Sequence, residues 1–426
     1  MSKKNVNLLY LLILCFSFIF LGSNAQEPKP DTLVRVLKQL QGEVAILKNL
    51  KITGYIQAQA QFSDSTGAKT TMAAGDFPAG SNKRFLLRRG RLKFVYSFNP
   101  LSQCAYQIDV TETGIKTKEV YLKLTDPFIH WFNLTAGLQT RPFGYEIALS
   151  AGLMEYPERS RTNQSLFNND YDLGAKLTIQ APKTSPFNFI KLEGGFFTGS
   201  IAGTSPMDFK SAKDFIGQVN VTKSFADEKI KLSGSISYYH GFVPNNSTKL
   251  HKTQSINDLP IFSEKTVDSL SNALREYYGA DIQFSFANPL GLTTLQGEYT
   301  KGQQVSAKTD IKNPNTLTGS LYVRHVEGFY ILFMQNILQS IHSIIIKYDV
   351  FDPNTKASGI QLSDAGGYTS QDVKYGDLGL GYICHINSNT KLLVYYDINK
   401  NESTGIKGYT KDVKDNVWTV RLQYKF

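Results

Sequence analysis

From Lys51 to Phe426 apolar and polar residues alternate with a period of two, as in strands that divide two different surroundings between their faces. The first segment sets Ile52, Gly54, Ile56, Ala58, Ala60 and Phe62 against Thr53, Tyr55, Gln57, Gln59 and Gln61. The last sets Trp418, Val420, Leu422, Tyr424 and Phe426 against Thr419, Arg421, Gln423 and Lys425. About sixteen such segments are present, most near ten residues, the length a tilted strand needs to cross a bilayer. Their connections alternate between long and short. Ser63–Lys83, Pro142–Asp170, Val243–Leu274 and Phe351–Val373 are long and rich in Gly, Ser, Asn and Asp, whereas 99–102, 182–186, 288–291 and 387–390 are tight turns.

That alternation predicts an all-β fold, a transmembrane antiparallel up-and-down β-barrel over residues 51–426, with both termini on the periplasmic side. A β-sandwich has no reason to gather its long loops at one edge, and no propeller repeat is visible. A closed sheet pairs every backbone N–H and C=O inside the hydrocarbon, which is how a chain without long apolar runs spans lipid. Tyr96, Phe98, Phe132 and Tyr424, near strand ends, fit aromatic girdles. The strand ending in Phe426 carries the C-terminal aromatic pattern that barrel-assembly machinery reads.

The period is different before Lys51. Leu33, Leu37, Leu40, Val44 and Leu47 follow a helical spacing that predicts a periplasmic helical or coiled-coil segment over 26–50 and, through it, a homotrimer. Lys3 and Lys4, the apolar run Leu8–Leu21 and the small residues Gly22 to Ala25 read as a signal peptide, 1–25. An exported barrel in outer-membrane lipid is the expected setting.

Composition then narrows the chemistry. Three cysteines rule out a disulfide scaffold, and Cys104 and Cys384 fall on lipid-facing positions of distant strands. The six histidines lack metal-ligand spacing, and no phosphate-binding loop or nucleophile elbow is present, so neither a metal, a cofactor nor an enzyme is expected. The net charge is +10, yet the cations are spread over many strands rather than clustered as for a nucleic acid. Strand parity turns a number of them inward, where they outnumber the inward acids. Arg89, Arg91 and Lys93 occupy successive inward positions about 6.6 Å apart; their repulsion calls for screening by water and passing anions. Lys123, Arg141 and Lys176 join them on the inner wall, with Arg159 and Arg161 in the loop expected to narrow the pore. Arg88 breaks the alternation, so a bulge turns it inward or it snorkels to the rim.

Arg88-Arg89-Gly90-Arg91-Leu92, Gly137 followed by Arg141-Pro142-Phe143-Gly144-Tyr145-Glu146, Glu158-Arg159-Ser160, Asp172-Leu173-Gly174 and Tyr348 to Asn354 resemble motifs of the phosphate-selective porin O and P family, a group of Gram-negative outer-membrane porins. The resemblance runs over nearly the whole chain from Lys51. It implies a trimeric sixteen-stranded barrel, a loop folded into the pore, and arginines and lysines that conduct phosphate-like anions. The chain departs from the family's lysine-rich constriction: its loop pairs Arg159 and Arg161 with Glu146, Glu155 and Glu158. The expected function is passive diffusion of small anions, phosphate and other oxyanions among the candidates. The alternative is a plugged or surface-binding barrel, adhesin-like, without selective transport.

Overall fold

The structure is a computed structural model that describes residues 38–39, 48–70, 74–167, 170–199, 208, 210–268, 271–312 and 319–426. The signal peptide and nearly all of the Leu33–Leu47 helix lie outside the described residues; Lys38, Gln39, Lys48 and Asn49 are helical.

The chain forms β1 (Leu50–Ser63), β2 (Lys83–Asn99), β3 (Ser102–Thr111), β4 (Gly114–Thr125), β5 (Phe132–Thr140), the short helix α1 (Arg161–Leu166), β6 (Tyr171–Gln180), β7 (Ile190–Phe197), β8 (Asp214–Phe225) and β9 (Ile230–Pro244). It continues through β10 (Lys249–Ile256), β11 (Leu259–Thr266), β12 (Asn272–Asn288), β13 (Gly291–Ser306), β14 (Leu321–Asn336), β15 (His342–Asp352), β16 (Tyr375–His385), β17 (Thr390–Asn401) and β18 (Val417–Lys425). Sixteen of these close the barrel, each antiparallel to its neighbours. β1 seals the circle by pairing with both β2 and β18, from Tyr55 opposite Lys425 to Ser63 opposite Val417. Closure leaves no open edge and commits the outward residues of every strand to apolar surroundings. Ile56, Leu122, Leu134, Ile282, Ile331 and Leu422 are exposed on that outer surface, while Gln57, Gln59, Gln61, Thr419 and Gln423 are buried inside.

The structure departs from simple alternation in three places. The span Val243–Leu274, read as one long loop, contains the hairpin β10–β11 around Asn257 and Asp258, both at positive φ. β9 pairs directly with β12, so this hairpin stands outside the wall and adds a short parallel pairing to β14 at Leu250–Lys252. The connection between β3 and β4 joins Thr111 to Gly114 and is as short as the turns at the opposite end.

The third departure is a pair of bulges. In β2 the register against β1 slips so that Gln57 faces Arg89 and Ala58 faces Leu87, leaving Arg88 as the extra residue. In β4 the register against β3 slips between Gln107–Glu119 and Ile108–Thr117, leaving Lys118 as the extra residue. Each bulge reverses the parity beyond it. Leu86 therefore shares the face of inward Arg84 instead of that of Leu92, while Phe85 points out, 87% exposed. Lys116 likewise comes to lie opposite the buried Asp109.

Candidate functional site

The connection from β5 to β6, residues 141–170, folds back into the barrel. It turns at Gly144, whose φ of 62° suits glycine, and a Cβ there would run into the Glu298 carboxylate. That carboxylate accepts the backbone N–H of Tyr145 at 3.1 Å and of Glu146 at 2.9 Å. We expect Gly144→Ala to lower the barrel's unfolding temperature in detergent, through a loss of roughly 1–3 kcal/mol. An unchanged melting curve would show that the loop does not depend on this seat.

From there the loop reaches much of the wall. Glu146 is fully buried and takes Lys347 Nζ of β15 at 2.9 Å; its other oxygen accepts the Ser160 N–H at 2.7 Å. Gln57 of β1 donates to Ala151 O, Gln423 of β18 to Gly152 O, and Lys391 of β17 to Met154 O. Glu158 gathers Arg88, Arg89 and Arg421 from β2 and β18 at 2.7, 2.9 and 3.0 Å. Burial penalises its charge, but Arg88, followed by Arg89, more than offsets this and holds the carboxyl well below its usual range. Ser160 caps α1 by accepting the Asn163 N–H, and Arg161 fixes the helix to the far wall: its N–H donates to Asp349 and its guanidinium to Asp377. Most of the motifs singled out in the sequence thus meet at one structure, the loop and its anchors.

The loop divides the lumen. Above it, toward the long loops, lies a chamber of about 450 Å³ lined by seven cationic and four acidic side chains, Arg88, Arg89, Arg91, Lys116 and Lys118 among the cations. Below it, toward the short turns, a chamber of about 350 Å³ lies between β1–β4 and the loop segment 147–153. Arg91 and Arg159 line both, so the narrowing lies between them. Arg91 donates to Tyr171 Oη at 2.9 Å, stands 3.5 Å from Asp109, and packs over the Tyr55 and Tyr171 rings at 5.7 and 5.8 Å. Its Nε has no partner among the described residues. A second chamber of about 350 Å³ below the loop is lined by Lys191, Lys231 and Asp281 with several amides and hydroxyls.

Four of the expected pore residues, Arg89, Arg91, Lys93 and Arg159, are brought together here. The picture of cations screened by water and passing anions needs correcting, because carboxylates on neighbouring strands and on the loop do most of the screening. Arg89 pairs with Glu158, Arg91 with Asp109, Lys93 with Glu119 and Arg159 with Asp170. Pairing of this kind is what a partly desolvated wall requires. Arg141 is locked to Asp172 at 3.2 Å and Lys176 to Glu193 at 2.9 Å. Lys123 shares the inward face of Glu119 lower on β4. Arg161, expected near the narrowing, is held at β15 and β16 by Asp349 and Asp377. The residues that alternation missed are Lys116 and Lys118, turned inward by the β4 bulge; among the described residues neither has a carboxylate at ion-pair distance. Lys118 lies over the Tyr171 ring at 5.8 Å. The only signal for them was physical: neither ammonium group would be stable facing lipid.

No group of three His, Cys, Asp or Glu is placed to hold a metal ion among the described residues. No family model and no curated protein matches the chain. Solved structures do. The barrel is similar to OprB of Pseudomonas putida, with a TM-score of 0.55 and 8% identity over 92% of this chain and 97% of that one. The fold is that of a porin-type barrel. OmpF of Salmonella typhi, solved with daunomycin, gives 0.53 and 12% over 88% and 97% of the two chains. OmpT, an outer membrane protein of Vibrio cholerae in its trimer form, gives 0.51 and 9% over 88% and 99%. At such identities the likeness extends to the barrel, and what passes through it has to be argued from this chain's own wall.

Proposed function

We propose that the protein is an outer-membrane porin through which small anions diffuse passively, with its long loops outside, its termini in the periplasm and three copies per assembly. The observation that carries this reading is the excess of cations along the two chambers that meet at Arg91 and Arg159; among the described residues Lys116 and Lys118 have no carboxylate at ion-pair distance and the Arg91 Nε no hydrogen-bond acceptor. Each ion pair on the wall cancels locally, so selectivity falls to the cations left over. They raise the local anion concentration and replace part of an anion's hydration by charge-assisted contacts. Because Asp109, Glu119, Glu158 and Asp170 stand beside the same cations, no single site is attractive enough to trap the ion, and conduction requires release as much as binding. The motif resemblance to phosphate-selective porins agrees with an oxyanion among the permeants. The test is the reversal potential in a potassium chloride gradient across a planar bilayer. We expect the wild type to be anion-selective and Arg89→Ala/Arg91→Ala/Lys93→Ala to lose much of that selectivity. A cation-selective wild type would overturn the reading.

One observation favours a different function. The loop touches strands around much of the circumference, as a plug would. A plugged, surface-binding barrel would show no ohmic steps in the same bilayer, whereas a porin shows them.

A further inference from the structure

The turn-end chamber differs from the loop-end one in a way that bears on which anions pass. One wall carries Arg91 and Lys93 with the Tyr55 ring beside them; the opposite wall is the loop segment with Ala148, Leu149 and Leu153. Leu153 is 53% exposed although it lies inside the barrel, and Ala148 is exposed as well. Ala148 and Leu153, with the half-buried Leu149 between them packing against the cluster around Tyr55, form an apolar patch on the chamber wall that water alone does not favour. The loop-end chamber has no comparable face: apart from Phe167 and Ala74, its lining is charged, polar or glycine.

A hydrated tetrahedral oxyanion needs donors on every side, and an aliphatic wall strips part of its hydration without replacing it. A carboxylate carried on an apolar body satisfies both walls at once, its oxygens toward Arg91 and Lys93 and its body along Leu149 and Leu153. We propose that the pore favours small organic monocarboxylates with an apolar or aromatic body over equally charged anions that are polar all round. This rests on the anion-porin reading and refines it.

The experiment compares benzoate with gluconate, two monocarboxylates of similar carbon count, by replacing chloride on one side of the bilayer. For the wild type the benzoate-to-gluconate permeability ratio should exceed the ratio of their free mobilities by about fivefold. In Ala148→Ser/Leu153→Ser that excess should fall to less than about twofold, since the patch becomes polar while two exposed positions accept serine at little cost to folding. If chloride itself proves not to be selected over potassium, the anion reading fails and this inference with it. If chloride is selected but the two carboxylates follow their free mobilities, if the excess survives in the double variant, or if inorganic phosphate permeates better than benzoate, the organic-anion inference alone is overturned.

Discussion

Replacing Glu158 by glutamine should loosen the loop's hold on two strands in one step. The carboxylate receives Arg88 through both oxygens, Nε and Nη2 each at 2.7 Å, with Arg89 Nη2 at 2.9 Å and Arg421 Nη2 at 3.0 Å. An amide offers one acceptor in place of two and turns its own N–H groups toward guanidinium donors. Three buried or half-buried cations would lose their counter-charge, and breaking such a pair typically costs about 3–5 kcal/mol. The barrel's closed ladder does not pass through this residue, so the cost should appear mainly as local opening of the loop. We expect larger and noisier single-channel currents together with a lower unfolding temperature; quiet currents of wild-type size would show that the loop is held without this clasp. The acid dependence has a definite sign. Because the folded carboxyl is held well below 4.5, the clasp contributes its stability at neutral pH and loses it only as the pH falls through that lowered value. Channel noise should therefore stay constant from about pH 7 to pH 5.

The period of two, the strand lengths and the alternation of loops with turns are backbone consequences of crossing a bilayer, and they are legible in the sequence. So are the faces of β1 and β18, where Gln57, Gln59, Gln61 and Arg421 are buried inside and Trp418, Leu422 and Tyr424 face out. Two things were not legible. A bulge changes parity without changing composition, so alternation counted back from Lys123 sends Lys116 and Lys118 to the lipid. Only Arg88, an arginine out of place beside Gly90, betrayed the bulge in β2. The other illegible feature was pairing. Asp109 with Arg91 and Glu119 with Lys93 depend on strand register, and Glu158 with Arg88, Arg89 and Arg421 on the path of a loop with no period at all. Charges counted along a chain therefore overstate a wall's basic character until the partners across it are known. The hairpin β10–β11 escaped notice for a related reason: it lies above the wall, where no bilayer imposes a strand length or a lipid-facing side.

The central claim is that permeating anions pass between the two chambers beside Arg91 and Arg159. It can be tested by Arg91→Cys and covalent modification from the aqueous phase. The native Cys104 and Cys384 sit on outward faces of β3 and β16, where a charged, water-borne thiol reagent does not reach. Substitution alone should weaken anion selectivity, since it removes a guanidinium that lines both chambers. Attaching a sulfonate to Cys at this position should then do much more. It places a fixed negative charge at the narrowing, where water is scarce and screening weak, so the anion barrier rises steeply. The measurement is the chloride current through single Arg91→Cys channels before and after the sulfonate reagent, with modification verified by mass. A fall to less than about a third, with the reversal potential moving toward cations, is the result predicted, while a cationic reagent applied instead to unmodified Arg91→Cys channels should restore the anion selectivity lost on substitution. Complete modification that leaves current and reversal potential unchanged would show that ions take another route, and would contradict the account.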